Sequence, residues 1–506
     1  MLIVNRYVSY CIIIICLVAC TQATQVSPGN YEYNPFVTVG PGTAIPLLAL
    51  LPPTRGPGTP IVTPTPDNPH YISTSRNDEE QYTVQNGDTL GKIAQHFGIS
   101  IETILQVNQM TEADNLIIGQ VLTIPASEPG LIGPNFKVIP DSELVFGPAS
   151  VVFDVEAIIQ GKGGYLDSYN QEVDDKILNG AQIIRRVAQN YSVNPRLLLA
   201  LLEHRSNWLT NPNPDPSKLD YPLGYVDSWH SGLYRQLTWA ANELNRGYYL
   251  WRVHGVACWT LADGSVIPIN PTINAGTAGV QNLFAKLDDR PGWEADVTLG
   301  GLFKTYYYIF GYPFDYSVEP LLLPGLSQPP MSLPFAKGET WSFTGGPHGG
   351  WDTGSAWAAI DFAPPGESQG CAPNDTWVLS MTDGIIVRAD HGAVLVDLDG
   401  DGLEQTGWTV LYMHIESRDR ILPGARLQTG DRIGHPSCEG GVSNANHVHI
   451  ARKYNGEWIS ADGSMPFILD GWISSGTGVE YDGYLIRGSR TLEAWEGINE
   501  LNQIQR

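Results

Sequence analysis

Five residues in the last third of the chain restrict how that part can fold. They occur in the order His348, Asp361, His414, His447 and His449. Successive side chains of a β-strand point to opposite faces, so a strand through His447 and His449 would turn both imidazoles towards one ion. The chain has 11 histidines among 506 residues, and a His-x-His pair alone therefore indicates little. The two segments that precede the pair make it informative.

The first of these segments carries a histidine and an aspartate around a glycine-rich, apolar stretch. It contains GPHGG around His348 and AIDFAPP around Asp361. Neutral imidazoles and one carboxylate suit a tetrahedral zinc ion. The second segment, TVLYMHI, predicts a strand over residues 409–415 with Tyr412 and His414 on one face and the apolar residues on the other. His414 is then not expected to point into the core.

These elements resemble the M23, or lysostaphin-like, family of peptidoglycan endopeptidases. That family's pattern is a His…Asp element, then Tyr-x-His, then His-x-His, and all three occur here in that order over roughly residues 340–460. The resemblance implies a β-rich domain in which His348, Asp361 and His449 bind Zn²⁺ and leave a fourth position open for catalysis.

The two remaining histidines have a different implied role. The resemblance assigns to His414 and His447 the transfer of protons and the stabilisation of charge in the transition state. The chemistry implied is hydrolysis of a peptide bond.

A second aspartate competes for the ligand role. The family usually places its Asp four residues after its His, and that position here is Asp352. The family's Asp also begins a strand of the form Asp-Phe-Ala-x-Pro, which matches the sequence from Asp361. We therefore prefer Asp361, which implies an insertion after His348 and places Asp352 in a loop.

An acidic loop separates the His…Asp element from Tyr-x-His. Asp397, Asp399 and Asp401 form the D-x-D-x-D-G opening of a calcium-binding loop. The bidentate Glu expected at the twelfth position is missing, because Trp408 stands there. Two interpretations stay open: a Ca²⁺ site on the three aspartates, or a solvated hairpin turn between two strands.

The N-terminus indicates where this chemistry would take place. Arg6 precedes an apolar run over residues 7–19, and the sequence LVAC ending at Cys20 has the form of a bacterial lipoprotein signal. The run is shorter than the roughly 20 residues that span a bilayer. Cys20 is therefore the predicted lipidation site, with a plain secretory signal as the alternative. Both place the chain outside the cytoplasm, either lipid-anchored to the envelope or secreted.

Residues 81–126 predict a small β-α-α-β module. The segment resembles LysM domains from its Y-x-V-x-x-G-D-T-L start to its G-Q-x-L-x-I-P end. The resemblance implies binding of N-acetylglucosamine polymers, with peptidoglycan as the expected ligand. The loop expected to contact the glycan consists of Gly87, Asp88, Thr89 and Leu90.

The middle of the chain predicts a mostly helical domain. Helical periodicity covers residues 177–191 and 195–208, with Asn194 as N-cap and Pro195 at the first helical position. The second helix resembles the start of lytic transglycosylases, lysozyme-like enzymes whose catalytic Glu directly precedes a Ser.

Arg205 occupies that Glu position, and a guanidinium cannot act as an acid. Glu203 lies about 200° around the helix from it and cannot simply substitute. The domain is therefore predicted to be an inactive relative that still grips glycan. Its tryptophans are either sugar-stacking groups or core side chains, and they are Trp208, Trp229, Trp239 and Trp251.

Charge and cysteine content limit the partners and the compartment. A net charge of −24 and a pI near 4.7 argue against nucleic acid as a partner. Cys371 and Cys438 lie on either side of the strands expected nearest the metal and could form a disulfide outside the cytoplasm.

The sequence thus predicts a multidomain α+β chain that ends in an antiparallel, β-rich domain. Its predicted parts are a signal peptide (1–20), a Pro/Thr-rich tether (21–80), a LysM domain (81–126), a connector (127–164), a helical, lytic-transglycosylase-like domain (165–325) and an M23 peptidase domain (326–506). The expected function is zinc-dependent hydrolysis of peptidoglycan peptide bonds at the envelope, with LysM docked on glycan. Two alternatives are a catalytically inactive peptidoglycan-binding or hydrolase-activating protein, and a glycan-cleaving enzyme acting through the helical domain.

Overall fold

The structure is a computed structural model that covers most of the chain. It describes residues 70, 78–85, 88, 90–97, 99, 101–110, 116–126, 132–366 and 370–506. The predicted signal peptide, with its lipidation site Cys20, lies outside the described residues. None of the helices in the described ranges has the length and apolar character needed to cross a membrane.

The first unit is a small antiparallel sheet with two helices. Its elements are β1 (Glu80–Thr83), α1 (Leu90–Phe97), α2 (Ile101–Val107) and β2 (Val121–Ile124). Tyr82 pairs with Leu122 across the two strands. The side-chain amide of Asn108 ties the second helix to the second strand, since it donates to the carbonyl oxygen of Thr123 and accepts from its N–H. The predicted β-α-α-β order is confirmed.

The second unit is mostly helical, and we call it the helical unit. Its elements are α3 (Asp141–Leu144), α4 (Val155–Lys162), α5 (Tyr165–Ser168), β3 (Asn170–Val173), β4 (Lys176–Asn179), α6 (Gly180–Tyr191), α7 (Pro195–Ser206), α8 (Leu233–Arg252), β5 (Cys258–Thr260), β6 (Val266–Pro268), α9 (Ala275–Ala285), α10 (Arg290–Asp296) and α11 (Leu302–Phe310). Residues 138–159, which the sequence assigned to a connector, contribute apolar side chains to its core.

Local capping fixes where its helices begin. Asn179 and Gln182 form a reciprocal capping box, so α6 starts at Gly180. The predicted helical start at residue 177 was wrong, because residues 177–179 pair in the β3–β4 hairpin instead. The side chain of Asn194 caps α7, and Pro195 takes its first position, which confirms that prediction.

A buried ion pair lies inside the helical unit. The carboxylate of Glu143 is completely buried and accepts a hydrogen bond from Nη1 of Arg196 at 2.6 Å. Asn194 and the hydroxyl of Tyr306 also donate to it. These partners compensate the charge of the Glu143 carboxylate, which would otherwise be costly to bury.

The C-terminal unit is β-rich. Its strands are β7 (Thr340–His348), β8 (Ala359–Ala363), β9 (Val378–Leu379), β10 (Gly384–Asp390), β11 (Ala393–Asp397), β12 (Trp408–Met413), β13 (Arg426–Leu427), β14 (Arg432–Gly434), β15 (Val448–Tyr454), β16 (Glu457–Trp458), β17 (Ile468–Leu469), β18 (Trp472–Gly476), β19 (Gly483–Arg487), β20 (Arg490–Glu493) and β21 (Gln503–Gln505). The main sheet runs β13-β10-β11-β12-β15-β8-β7-β21, with β16 beside β15, and its described pairings are antiparallel. The predicted multidomain α+β class is confirmed.

The two faces of the main sheet pack against different partners. One face joins a core within the C-terminal unit, with Ile360, Val410, Tyr412 and Ile450. The opposite face joins the core of the helical unit, with Ala359, Leu395, Leu411 and Ala451. Side chains alternate along a strand, so Asp361 and His449 lie on the face that the helical unit covers. The helical unit therefore borders the candidate site.

Candidate metal centre

Three neighbouring strands bring the predicted ligands together. His348 ends β7, Asp361 lies at the middle of β8, and His449 is the second residue of β15. Asp361 pairs directly with His449, and β7 shifts register beside β8 so that His348 reaches the same point. One nitrogen or oxygen from each of the three residues lies within 4.8 Å of the other two.

The three side chains converge in a buried position. Nε2 of His348 is 2.9 Å from Nδ1 of His449. Oδ1 of Asp361 lies 3.3 Å from that Nε2 atom and 3.2 Å from that Nδ1 atom. The exposed fractions are 2%, 6% and 9% for His348, Asp361 and His449. These atoms are close enough to share one ion.

Backbone carbonyls orient the two imidazoles. Nδ1 of His348 lies 2.8 Å from the carbonyl oxygen of Gly346, and Nε2 of His449 lies 3.2 Å from that of Gly350. A carbonyl oxygen only accepts hydrogen bonds, so each of these nitrogens carries the proton and donates it. The other nitrogen of each ring is left with a lone pair that faces the partner ligands, as metal-binding histidines require.

The carboxylate provides an independent test of whether a metal fits. Among the described residues, the buried Oδ1 atom of Asp361 has no hydrogen-bond partner. Buried polar atoms rarely stay unsatisfied, because an unmade hydrogen bond costs about 1–3 kcal/mol. A cation between this oxygen and the two imidazoles would satisfy it, and two nitrogens with one carboxylate form a donor set suited to zinc.

The charges of the centre depend on one another. Burial alone would raise the pKa of Asp361, but His348 and His447 hold that pKa well below its usual range. Burial lowers the pKa of His348, yet the Asp361 carboxylate outweighs this effect and the pKa is raised overall. Burial lowers the pKa of His449. Burial also lowers the pKa of His414 to about 3, and His447 and His449 add to that effect.

His414 and His447 lie beside the three predicted ligands. Their ring centroids are 4.4 Å apart, and Nε2 of His447 lies 3.9 Å from Oδ2 of Asp361. Nδ1 of His414 donates to the carbonyl of Glu439, and Nδ1 of His447 donates to that of Ala445. The Nε2 atom of each ring is therefore left with its lone pair.

The predicted shared face of Tyr412 and His414 was wrong. Tyr412 points into the core on the other side of the sheet, where its hydroxyl accepts a hydrogen bond from the N–H of Met381 at 2.7 Å. β12 ends at Met413, and His414 has a left-handed φ of 65°. This turn breaks the alternation and directs the imidazole into the site.

Asp352 lies in a loop and has other partners. Its Oδ2 atom accepts a hydrogen bond from the hydroxyl of Tyr191 at 3.0 Å, and its Oδ1 atom accepts from the N–H of Thr353. Among the described residues, the group around His348 that could share one ion contains Asp361 and does not contain Asp352. The geometry thus favours Asp361 as the ligand.

A cleft of about 1260 Å³ opens over these residues. Its wall includes side chains that the sequence analysis missed, notably Tyr481, which stacks on His348 at 4.1 Å between centroids. Burial raises the pKa of Tyr481 to about 12. Tyr191 and Tyr234 of the helical unit also line the cleft. No local motif marks these tyrosines, since they meet the centre only through the fold.

A disulfide joins two segments of the cleft wall. Cys371 and Cys438 are bonded, with their Cα atoms 5.5 Å apart. The first follows β8 and the second precedes β15, the two strands that supply Asp361 and His449. The disulfide therefore ties the segment that follows β8 to the segment that precedes β15.

The acidic loop connects β11 and β12, which pair as a hairpin. Asp397 accepts hydrogen bonds from the N–H groups of Asp399 and Gly402, and Asp401 accepts from Leu403. One carboxylate oxygen from each of the three aspartates lies within 4.8 Å of the other two. The Ca²⁺ site stays a prediction, and the hairpin turn is present in either case.

The predicted glycan-contacting loop is described only in part. Gly87 and Thr89 lie outside the described residues. Asp88 accepts hydrogen bonds from the hydroxyl of Tyr82 and the N–H of Gln85, and Leu90 is buried in the small core. These two residues hold the module together, and glycan contact stays a prediction.

The helical unit uses its charged residues structurally. Nη1 of Arg205 contacts the carboxylates of Asp288 and Asp296. Glu203 accepts hydrogen bonds from the N–H groups of Leu209 and Thr210 at the end of α7. Neither residue is placed to act as an acid.

The four tryptophans of this unit divide between core and surface. Trp208 and Trp251 belong to the core, Trp239 is partly buried and stacks on Tyr225, and Trp229 is 73% exposed. Trp229 keeps the accessibility that sugar stacking requires.

Comparison with known proteins finds two matching families. Residues 82–125 match the LysM domain family, and residues 137–322 match the family described as "LasA, N-terminal domain". Protease LasA of Pseudomonas aeruginosa (strain UCBPP-PA14) is 23% identical over 343 residues, which cover 64% of this chain and 75% of that protein.

Two solved structures are similar to part of the chain. Pseudoalterin, described as a novel M23 metalloprotease from deep-sea, is 25% identical, with 34% of this chain and 100% of that chain covered and a TM-score of 0.29. The catalytic domain of lysostaphin from Staphylococcus simulans is 22% identical, with 25% and 89% covered and a TM-score of 0.18. The chain is similar to Protease LasA over 64% of its length, matches the LysM and LasA N-terminal families in separate segments, and carries sequence motifs that resemble those of the lysostaphin-like M23 peptidases.

Proposed function

We propose that this chain is a zinc metalloendopeptidase that hydrolyses peptide bonds of peptidoglycan. The observation that carries the proposal is the buried cluster of His348, Asp361 and His449, whose facing atoms include a carboxylate oxygen with no hydrogen-bond partner among the described residues. The similarity to Protease LasA supports the peptidase activity. The LysM match supports action outside the cytoplasm on a polymer that contains N-acetylglucosamine.

The cluster would hold the ion through Nε2 of His348, Nδ1 of His449 and Oδ1 of Asp361. When bound, zinc supplies a Lewis acid that activates water and polarises a peptide carbonyl. The carbonyls of Gly346 and Gly350 keep the two rings in the required tautomers. The three protein ligands leave room for substrate on the side of the cleft.

His447 and His414 serve as proton-transfer groups. Each donates its Nδ1–H to a carbonyl, so its Nε2 atom has a free lone pair. A histidine in that state can take a proton from the attacking water and pass it to the leaving amine. His447, which lies beside Asp361, is assigned both the uptake of this proton and its delivery to the amine. The neutral ring of His414 lies 4.4 Å from that of His447 between centroids and is the second candidate proton acceptor.

The remaining regions hold the enzyme near its substrate. The LysM unit docks on glycan, and Cys20 anchors the mature N-terminus to a membrane after signal cleavage. A disulfide between Cys371 and Cys438 fits an oxidising compartment. The lipid anchor, the LysM unit and the active site belong to one chain. Binding by the first two therefore raises the concentration of peptidoglycan cross-links near the active site, without any new contact there.

Cleavage of glycan by the helical unit has no support in its contacts. Arg205 stands where an acid is needed and is paired with Asp288 and Asp296. The carboxylate of Glu203 accepts hydrogen bonds from the N–H groups of Leu209 and Thr210, which follow its helix. The helical unit is proposed instead to support the peptidase site.

Product analysis on purified peptidoglycan tests the proposal. Peptide hydrolysis creates new amines, whereas glycan cleavage creates new sugar ends. Wild type should release amines, and His447→Asn should not. The matched control is His391→Asn, which lies outside the metal cluster and whose left-handed φ of 44° Asn tolerates. New sugar ends without amines would favour the glycan-cleaving alternative. No product, with retained binding to peptidoglycan, would favour the inactive binding protein.

A further inference from the structure

One loop lies between the metal ligands and the helical unit. It follows β7, precedes β8 and spans residues 349–355, and we call it the Gly350 loop. It supplies part of the wall of the cleft. Its two sides contact different parts of the molecule.

On one side, the loop orients a candidate ligand. The carbonyl oxygen of Gly350 lies 3.2 Å from Nε2 of His449 and accepts its hydrogen. The N–H of Gly350 donates to the carbonyl of Ala356, which fixes the direction of this peptide segment. A displaced loop would therefore rotate the His449 ring or leave its N–H unpaired.

On the other side, the loop is hydrogen-bonded to α6 and α8. Oδ1 of Asn242 accepts from the N–H of Gly354 at 2.7 Å, and Nη2 of Arg246 donates to Oγ1 of Thr353 at 2.9 Å. The hydroxyl of Tyr191 donates to Asp352 at 3.0 Å. Three successive loop residues, 352–354, thus have partners on the helical unit.

The packing leaves this loop little freedom. A Cβ atom on Gly354 would lie 2.0 Å from the backbone carbonyl oxygen of Asn242, so the loop backbone rests directly on α8. A Cβ atom on Gly349 would lie 2.3 Å from the carbonyl oxygen of Asp352, which itself has a left-handed φ of 58°. The loop conformation is therefore restricted both by close packing within the loop and by its contact with α8.

We propose that the helical unit is a positioning element of the metal centre: Asn242, Arg246 and Tyr191 hold the Gly350 loop, whose carbonyl orients His449. This inference rests on the proposed function, because it concerns the affinity of the same site for zinc. It assigns the helical unit a role in metal binding that is separate from any contact with glycan. These three are positioning residues and touch neither the ion nor the reacting atoms.

The test compares two asparagines of the helical unit in the purified full chain. Asn242→Ala removes the side-chain oxygen that accepts the hydrogen bond from the N–H of Gly354 in the Gly350 loop. Asn190→Ala is the matched control, since Asn190 also bonds to the C-terminal unit, at 2.6 Å to Arg388, but does not touch the loop. Zinc affinity is measured by competition with a chelator, ligand geometry by the visible absorption of the Co²⁺-substituted protein, and folding by the Tm without metal.

Asn242→Ala is expected to bind zinc about tenfold more weakly and to shift the Co²⁺ absorption bands, as loss of a group that orients a metal-bound histidine does. Asn190→Ala should match wild type in both. Equal zinc affinity and equal Co²⁺ spectra in Asn242→Ala and wild type would overturn this inference alone. A wild type that binds no zinc would overturn the proposed function and this inference with it.

Two further variants keep the test decisive if Asn242→Ala does not fold. Asn242→Asp retains an oxygen acceptor for the N–H of Gly354 and should recover most of the zinc affinity. Tyr191→Phe removes only the hydroxyl that holds Asp352 and should weaken zinc binding a few-fold. Wild-type affinity in Tyr191→Phe together with weak binding in Asn242→Asp would contradict the proposed contacts.

Discussion

Replacing Asp361 with Asn keeps the shape of the side chain but removes the only carboxylate of the proposed ligand set. The pKa of Asp361 is held well below its usual range by neighbouring histidines. A carboxyl whose pKa is lower in the folded state stabilises the fold at pH values above its unfolded pKa, which is near 4, and this stabilisation is lost as the pH falls. The Asp361→Asn variant lacks this contribution at neutral pH. The zinc-induced change in Tm, measured for each protein separately, removes this background effect.

The size of the zinc effect follows from the ligand count. Four-ligand zinc sites bind with about 10–16 kcal/mol, so one ligand contributes roughly 3–4 kcal/mol, or about a 100- to 1000-fold change in Kd. At zinc near 100 times the wild-type Kd, binding stabilises wild type by about 2.7 kcal/mol and Asp361→Asn by about 0.4 kcal/mol or less. With about 2–4 °C per kcal/mol, the expected shifts are about 5–10 °C for wild type and about 1 °C for the variant.

Thermal unfolding with and without zinc is the assay, and Asp352→Asn is its control. Asp352 is bonded to Tyr191 rather than to the proposed ligands, so its variant should keep most of the wild-type shift. A full zinc shift in Asp361→Asn, with a lost shift in Asp352→Asn, would refute the ligand assignment.

Three other perturbations test the fold and the acidic loop. Glu143→Gln leaves the buried Arg196 without its carboxylate and should lower the free energy of unfolding by about 3–5 kcal/mol in urea titrations; an unchanged midpoint would contradict the buried pair. Burial and Asp397 raise the pKa of Asp399 to about 7, above its unfolded value, so its charge destabilises the fold as pH rises from about 4 to 7. Asp399→Asn should therefore stabilise the calcium-free chain by about 1–2 kcal/mol at pH 8, after allowance for solvent screening, and should have no effect at pH 4. If Ca²⁺ raises the Tm of wild type but not that of the variant, the result favours the cation site. Replacing both disulfide cysteines by Ser should cost about 4 kcal/mol, because the bond closes a loop of 67 residues, and equal denaturation midpoints would argue against the cross-link.

The sequence revealed the candidate ligands because their signals are local. His447 and His449 are two residues apart, and the strand period places both near Asp361, as the structure shows. Strand alternation failed at His414, where a left-handed φ ends the strand and turns the ring into the site. Hydrophobic spacing does not report such a change of backbone conformation.

The surroundings of the site could not be predicted, because they depend on contacts between distant segments. Tyr481 stacks on His348, and Tyr191 reaches Asp352 from another unit, yet neither tyrosine belongs to a motif. The helical start at residue 177 was misplaced because the apolar spacing there fits both a helix and a hairpin strand. The capping box at Asn179 decides between them.

Metal content and amine release, followed in one preparation, test the central claim most directly. Wild type should contain about one zinc per chain, lose amine release from peptidoglycan after chelation, and regain it with one equivalent of zinc. His449→Ala should contain no zinc and release no amines at any stage. A wild type that holds no zinc, or that releases amines equally well after chelation, would contradict the account.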